Sequence, residues 1–182
     1  MNDNAPRFAR LYTLNITENV AIGTDLLYVD TVDKDGPENS NVTYEFVDNP
    51  DGAFVIHPVS GKISVAKSLD RETRDEYSLR VRADDGSWKL ETVITVTLVD
   101  DNDNAPVFDR DLYEFSVPFI KNNVSVVGRV HALDRDAPGP NSLVSYSLAY
   151  LHDFFGVDEM SGSIVTKKDL SFHGASADNT YR

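Results

Sequence analysis

Apolar residues alternate with polar residues along much of the chain, so that every second side chain is hydrophobic. The alternation covers residues 12–16, 42–46, 77–83 and 94–98, where β-branched and aromatic side chains are frequent. A period of two with such residues is typical of strands that have one buried face. No segment of about a dozen residues carries a convincing helical pattern. The pattern therefore predicts a chain built from short strands.

Turn-forming residues separate the predicted strands. Gly, Pro, Asn and Asp cluster at residues 35–37, 49–52 and 85–86, and Ser60-Gly61 marks a further turn. About seven short strands in about a hundred residues predict a β-sandwich with Greek-key connections. We therefore expect an all-β fold. The Cys and Trp signature of antibody domains is missing, so the likeness to that fold is one of architecture only.

The chain repeats itself at an interval of about 100 residues. Four pairs of segments match in order: residues 2–8 with 102–108, 11–12 with 112–113, 33–35 with 134–136, and 60–63 with 161–164. Collinear matches at nearly one offset indicate a tandem repeat. The sequence therefore predicts two tandem Greek-key sandwiches.

Domain boundaries follow from the repeat. We predict these segments: 1–7 as the end of a preceding linker, 8–99 as the first repeat, 100–106 as a linker, and 107–182 as the second repeat. Tyr181 aligns with Tyr77, and no residue of the second repeat aligns with the residues after Arg82. We therefore expect the second sandwich to be incomplete, without its last two strands.

The chain of 182 residues is strongly acidic. It has 30 Asp and Glu against 17 Lys and Arg, a net charge of −13, and no cysteine. A negative surface repels phosphate backbones, which argues against nucleic-acid binding. The lack of cysteine excludes disulfide scaffolds, Cys-ligated zinc and thiol catalysis. No run of about 18 apolar residues is present, so we expect no direct membrane insertion by this segment.

Acidic residues collect at the ends of the predicted strands. Glu18 follows the first strand, Asp70 and Glu72 follow the strand at 63–65, and residues 100–104 follow the last strand of the first repeat. In a sandwich whose strands run end to end, these ends can meet at one pole. The converging acids are Glu18, Asp70, Glu72, Asp100, Asp103, Asp134 and Asp136. Such a cluster repels itself, and calcium, which takes about 6–8 oxygen ligands, would turn the repulsion into cohesion.

Three motifs carry a resemblance to a known family. They are residues 100–108 (Asp-Asp-Asn-Asp-Asn-Ala-Pro-Val-Phe), Leu69-Asp70-Arg71-Glu72, and Asp134-x-Asp136. In their order along the chain, which is 69–72, 100–108 and 134–136, they resemble the extracellular repeats of the cadherin superfamily, of the long non-classical type. The resemblance implies sandwiches of about seven strands joined end to end, with about three calcium ions at the joint of the two repeats.

The same resemblance implies a function and a location. It implies calcium-dependent cell–cell adhesion, with this segment as a calcium-stiffened part of an adhesive rod. The implied location is the extracellular part of a single-pass plasma-membrane protein. The implied partners are other cadherin ectodomains, of the same or a different type, and neighbouring repeats of the same chain.

The family pattern also implies a set of calcium ligands. At the joint between the repeats they are Glu18, Asp70, Glu72, Asp100, Asp101, Asn102, Asp103, Asn104, Asp134, Asp136 and Asn141. Part of another set, at the N-terminal pole, consists of Asn2, Asn4, Asp33, Asp35, Asn39 and Asp85. The second repeat departs from the pattern, because Phe119 stands at the position of Glu18 and residues 170–173 replace 69–72. We therefore expect the next joint to bind little or no calcium; the alternative is that an insertion near residues 174–178 shifts the register of this alignment.

Other functions fit the sequence less well. Asp33 and Asp134 each begin an Asp-x-Asp pair, but neither is followed by the glutamate that closes an EF-hand loop. Glycoside hydrolysis needs one carboxyl kept neutral in an apolar pocket, and here acids lie among acids, so we expect no enzyme. A β-sandwich that binds carbohydrate through calcium stays open as an alternative. Glycosylation sequons at Asn15, Asn41 and Asn123 agree with an extracellular location.

Overall fold

Two compact units make up the chain in the computed structural model, residues 1–102 and residues 103–182. Within them the structure describes residue 5 and residues 7–32, 42–117 and 125–168. Regular structure in these ranges consists of β-strands and a single turn of 3-10 helix at Pro50–Gly52. The all-β fold class predicted from the sequence is confirmed.

The first unit contains two main sheets. In chain order its strands are β1 (Arg7–Phe8), β2 (Tyr12–Thr17), β3 (Asp25–Tyr28), β4 (Thr31–Val32), β5 (Thr43–Asp48), β6 (Phe54–Ile56), β7 (Lys62–Val65), β8 (Glu76–Asp84) and β9 (Lys89–Val99). One sheet has the order β2-β9-β8-β5 and the other β3-β7-β6, while β1 pairs with β4 in a short ladder. All of these pairs are antiparallel except β2 and β9, which run parallel. These sheets place each predicted strand of the first repeat.

The core of the first unit lies between its two sheets. Leu79 and Val81 of β8, together with Ile94 of β9, are completely buried, and Ile63 and Val65 of β7 are nearly so. The polar residues between them on β8 and β9 face outward, because successive side chains of a strand point to opposite faces. Alternation in the sequence therefore reports which side of each strand faces the opposite sheet.

The turn before β7 requires glycine. Gly61 has φ +66°, and a Cβ atom there would lie 2.2 Å from the carbonyl oxygen of Val29. Gly162, its counterpart in the second repeat, has φ +67°, and a Cβ atom there would lie 2.4 Å from the carbonyl oxygen of Val130. Glycine adopts this left-handed conformation without steric cost and leaves room for the passing backbone. The two units therefore share a turn geometry as well as a sequence motif.

The described part of the second unit reproduces part of the first. Its strands are β10 (Val107–Phe108), β11 (Val126–Arg129), β12 (Ala132–Leu133), β13 (Phe155–Val157) and β14 (Ser163–Thr166). β10 pairs with β12 as β1 pairs with β4, and the order β11-β14-β13 repeats β3-β7-β6. Residues 169–182, where we expect the second sandwich to stop, lie outside the described residues.

Candidate metal centre

The parallel pairing of β2 with β9 brings two acidic residues side by side. Thr17 pairs with Val99 at the end of this ladder. Glu18 directly follows β2 and Asp100 directly follows β9, and the backbone N–H of Glu18 donates to the carbonyl oxygen of Val99 at 3.2 Å. Strands that run in the same direction end at the same edge of a sheet, so the residues that follow them share one pole of the sandwich.

Glu18 is a buried carboxylate held by two backbone donors. Its exposed fraction is 1%. Oε2 accepts a hydrogen bond from the backbone N–H of Arg71 at 2.7 Å, and Oε1 accepts one from that of Asp101 at 2.9 Å. Burial of a charged group is costly unless its oxygens are hydrogen-bonded or paired. The fold therefore fixes the position of this carboxylate with its own main chain.

Three carboxylates of the first unit gather at this pole. Oxygen atoms of Glu18, Glu72 and Asp100 lie within 4.8 Å of one another. The side chains of Glu72 and Asp100 are 17% and 14% exposed, so the cluster is largely withdrawn from solvent. Carboxylates so close together and so poorly hydrated repel each other and favour a cation.

The guanidinium of Arg71 lies against the same carboxylates. Its Nε donates to Oδ1 of Asp100 at 2.6 Å, and its Nη2 forms an ion pair with Oε1 of Glu72. Burial by itself lowers the pKa of Arg71, but the hydrogen bonds and charges of Asp100 and Glu72 outweigh that effect and raise the pKa above its ordinary value. The resemblance to a family assigned no role to this residue, although it stands between two predicted ligands in the sequence.

Other predicted ligands of the first unit are engaged differently. The Asp70 carboxylate is exposed and accepts hydrogen bonds from the backbone N–H and the hydroxyl of Thr73, at 3.1 and 2.8 Å. The Asp101 side chain accepts a hydrogen bond from Asn19 at 3.2 Å. Asn102 is exposed. Asp70 therefore closes a local turn, and it is not part of the group formed by Glu18, Glu72 and Asp100.

A second acidic group belongs to the second unit alone. Asp136 is 4% exposed, and its Oδ1 accepts hydrogen bonds from the backbone N–H and the side-chain amide of Asn104, at 3.2 and 2.9 Å. Its own backbone N–H donates to Oδ1 of Asp134 at 3.0 Å. The amide of Asn104 also donates to Oδ1 of Asp103 at 2.9 Å. Four of the predicted ligands are thus linked by hydrogen bonds.

The remaining oxygen of Asp136, Oδ2, is a candidate ligand atom for a cation. Oδ2 is buried and has no hydrogen-bond partner among the residues that the structure describes. A buried carboxylate oxygen without a donor is unfavourable, and a hard cation would satisfy it. The donors in both units are carboxylate and amide oxygens, without His or Cys, which suits calcium better than zinc or copper.

The predicted ligands at the other pole are only partly described. Asn2, Asn4, Asp33, Asp35 and Asn39 lie outside the described residues, as do Phe119 and residues 170–173. Asp85 is described, and its Oδ1 accepts backbone hydrogen bonds from Ser87 and Trp88 in the turn between β8 and β9, at 2.8 and 2.6 Å. Asn141, predicted for the joint, lies half-buried in the turn at 138–142.

Of the helices in the described ranges, none is long and apolar enough to cross a membrane.

The fold and the acidic groups define a class of protein, the tandem β-sandwich repeat with carboxylates gathered at the poles. The chain belongs to the cadherin superfamily, because a family profile described as "Cadherin domain" matches residues 12–99 and most of the chain aligns with cadherin relatives. Mouse protocadherin Fat 4 is 34% identical over 96% of this chain, and Drosophila protein dachsous is 35% identical over 93%. The chain spans only 4% and 5% of the lengths of these relatives.

A solved structure gives the same assignment. Repeats EC22-24 of mouse cadherin-23 match with a TM-score of 0.85 and 33% identity, over 93% of this chain and 56% of that one. The resemblance drawn from the sequence motifs is therefore confirmed. Fat 4, dachsous and cadherin-23 are cadherins rather than enzymes.

Proposed function

We propose that this segment is a calcium-stiffened part of a cell-surface adhesion rod. The observation that carries the proposal is the group formed by Glu18, Glu72 and Asp100, which lies at the end of the first unit where the chain leaves for the second. Membership of the cadherin superfamily supports the adhesive role and an extracellular location in a single-pass membrane protein. Other cadherin ectodomains and adjoining repeats of the same chain are the partners that we propose.

The ligands that we propose come from both units. Asp100 and Asp103 are separated by only two residues, so the chain carries acidic ligands continuously from the first unit into the second. The bridging role that we assign to Asp103 rests on the family pattern, in which this residue serves two ions. Support also comes from the buried Oδ2 of Asp136, which has no donor among the described residues and which a cation would satisfy. Asp70 keeps unused lone pairs on both oxygens, so its bonds to Thr73 do not prevent it from serving as a ligand.

Bound calcium would stabilise the acidic ends of the two units. When bound, the ion offsets the repulsion among carboxylates and lets both units share one set of ligands. Extracellular modules bind calcium with Kd of about 10⁻⁴–10⁻³ M. At about a hundred times its Kd, an ion adds about 2.7 kcal/mol to the state that binds it. That is a large share of the stability of an ordinary domain.

Calorimetry and small-angle scattering on the whole chain test the proposal together. We expect calcium to bind with a stoichiometry of about three and to narrow the distribution of end-to-end distances. Asp103→Ala should abolish most of the calcium binding, because this residue serves two of the ions in the family pattern. Asp111→Ala is the matched control, since Asp111 is an exposed aspartate of the same unit outside the predicted ligand set.

Two results would contradict the proposal. Unchanged calcium uptake in Asp103→Ala would show that the ligand assignment is wrong. Calcium-dependent binding of the chain to immobilised glycans, with no calcium-dependent change in scattering, would favour the carbohydrate-binding alternative.

A further inference from the structure

We propose that Arg71 is a built-in competitor of calcium at the group formed by Glu18, Glu72 and Asp100. Its guanidinium binds the carboxylates that a calcium ion would use, so it lowers calcium affinity and stabilises the group when calcium is scarce. This inference rests on the proposed function, because it concerns the same ligands.

The contacts of Arg71 place its charge within the group. Nε lies 2.6 Å from Oδ1 of Asp100, and Nη2 pairs with Oε1 of Glu72. The side chain of Arg71 is 16% exposed, and its two partners are similarly buried. By contrast, the pair between Arg74 and Asp51, in which the side chains are 41% and 62% exposed, lies in solvent. Solvent weakens exposed ion pairs far more than buried ones.

The main chain of Arg71 orients one carboxylate of the group, and its side chain neutralises the other two. Its backbone N–H holds Oε2 of Glu18, which orients one carboxylate of the group. Its guanidinium neutralises two others. A substitution that keeps the backbone therefore removes the charge and leaves the orientation of Glu18 intact. This separation makes the competition measurable.

Competition follows from the geometry of calcium binding. Calcium bonds to oxygen at about 2.3–2.6 Å, so an ion bound to Glu72 and Asp100 would lie within a few ångströms of a guanidinium that holds the same side chains. Two cations at that separation repel each other strongly in a site poor in water. The arginine must therefore withdraw, or share the carboxylates at a cost in affinity. Weakened affinity suits a site that responds to calcium at about 10⁻⁴–10⁻³ M.

Calcium titration of charge variants of the whole chain tests the inference. We expect Arg71→Gln to lower the Kd of the tightest calcium ion about tenfold, because the competing charge is gone. Arg71→Lys keeps the charge but lacks the planar guanidinium that reaches two carboxylates. Its Kd for calcium should therefore lie between that of the parent chain and that of Arg71→Gln. Arg80→Gln, on the exposed face of β8, removes a charge of the same kind elsewhere and should leave the Kd unchanged.

Melting in chelator gives a second readout. Arg71→Gln should melt at a lower temperature than the parent chain in chelator, and calcium should raise its melting temperature by a larger amount. A Kd that rises in Arg71→Gln would show that the guanidinium positions ligands, and an unchanged Kd would show that it does not compete. Either result overturns the inference while the calcium site stands. A parent chain without any calcium response overturns the proposed function as well.

Discussion

Glu18 offers the sharpest test of how the fold builds the acidic pole. Substitution by alanine removes the acceptor of two backbone hydrogen bonds, from Arg71 at 2.7 Å and Asp101 at 2.9 Å, in a position that is 1% exposed. Leaving one buried donor unsatisfied costs about 1–3 kcal/mol. Relief of the repulsion from Glu72 and Asp100 offsets part of the loss. We expect Glu18→Ala to lower the free energy of unfolding of the first unit by about 2–4 kcal/mol in chelator.

Urea denaturation in chelator and in calcium measures this effect. Trp88 is the only tryptophan and lies in the first unit, so its fluorescence reports the unfolding of that unit. For a domain of about a hundred residues, each kcal/mol corresponds to about 4–8 °C in melting temperature. Calcium should restore little of the loss, because Glu18 is also a proposed ligand. Glu18→Gln keeps one acceptor oxygen and should fall between the parent chain and Glu18→Ala.

An exposed glutamate provides the control. Glu76→Ala, at an exposed position on β8, should change the free energy of unfolding by less than about 0.5 kcal/mol. Equal denaturation midpoints for Glu18→Ala and Glu76→Ala in chelator would refute the argument that the main chain holds Glu18 in place.

Substitutions at Gly61, Asp70 and Ser64 test three further features of the structure. Gly61→Ala should destabilise the first unit by more than about 2 kcal/mol, since its Cβ would lie 2.2 Å from a backbone oxygen. Gly23 has φ +88° and open space around it, so Gly23→Ala should show the cost of a positive φ alone, about 1 kcal/mol. Similar shifts in melting temperature for the two variants would contradict the clash at Gly61. Asp70→Ala should reduce calorimetric calcium uptake by about one ion and leave the sandwich folded, and loss of every ion or global unfolding in calcium would contradict that role. Hydrogen bonds from Ser64 and from a neighbouring lysine lower the pKa of Asp25. The contribution of Asp25 to stability is therefore present above the ordinary aspartate pKa and is lost as the pH falls through the lower pKa of the folded state. NMR titration of Ser64→Ala should find the pKa of Asp25 raised toward its ordinary value, and an unchanged pKa would rule out the hydroxyl as the main cause.

The sequence predicted the strands well because their signal is local. Alternation along 77–83 and 94–98 marks which side chains enter the core, and β8 and β9 contain those segments. Turns such as the one at Gly61 were also predictable, since glycine there answers a local steric demand. The repeat interval added the tandem arrangement.

The arrangement of the site was less predictable because it depends on distant pairing. Glu18 and Asp100 come together through a parallel pairing of β2 with β9, which no local pattern specifies. The family pattern supplied their role but gave no reason for the burial of Glu18. It also treated Arg71 as a spacer between ligands, whereas its side chain pairs with two carboxylates. Side-chain direction in an irregular loop follows from the surrounding charges, and those are known only once the fold is built.

Burial divides the proposed ligands into two kinds. Glu18 and Asp136 are held by backbone or amide donors and are almost fully buried, so folding of each unit fixes their positions. Asp103 and Asn102 are exposed on the segment that joins the units, so their placement costs conformational entropy when they bind an ion. Fixed ligands favour affinity, while the ordering of the exposed ones couples calcium binding to stiffening of the joint. Loss of Asn102 or Asp103 should therefore affect calcium uptake far more than stability in chelator, whereas loss of Glu18 should affect both.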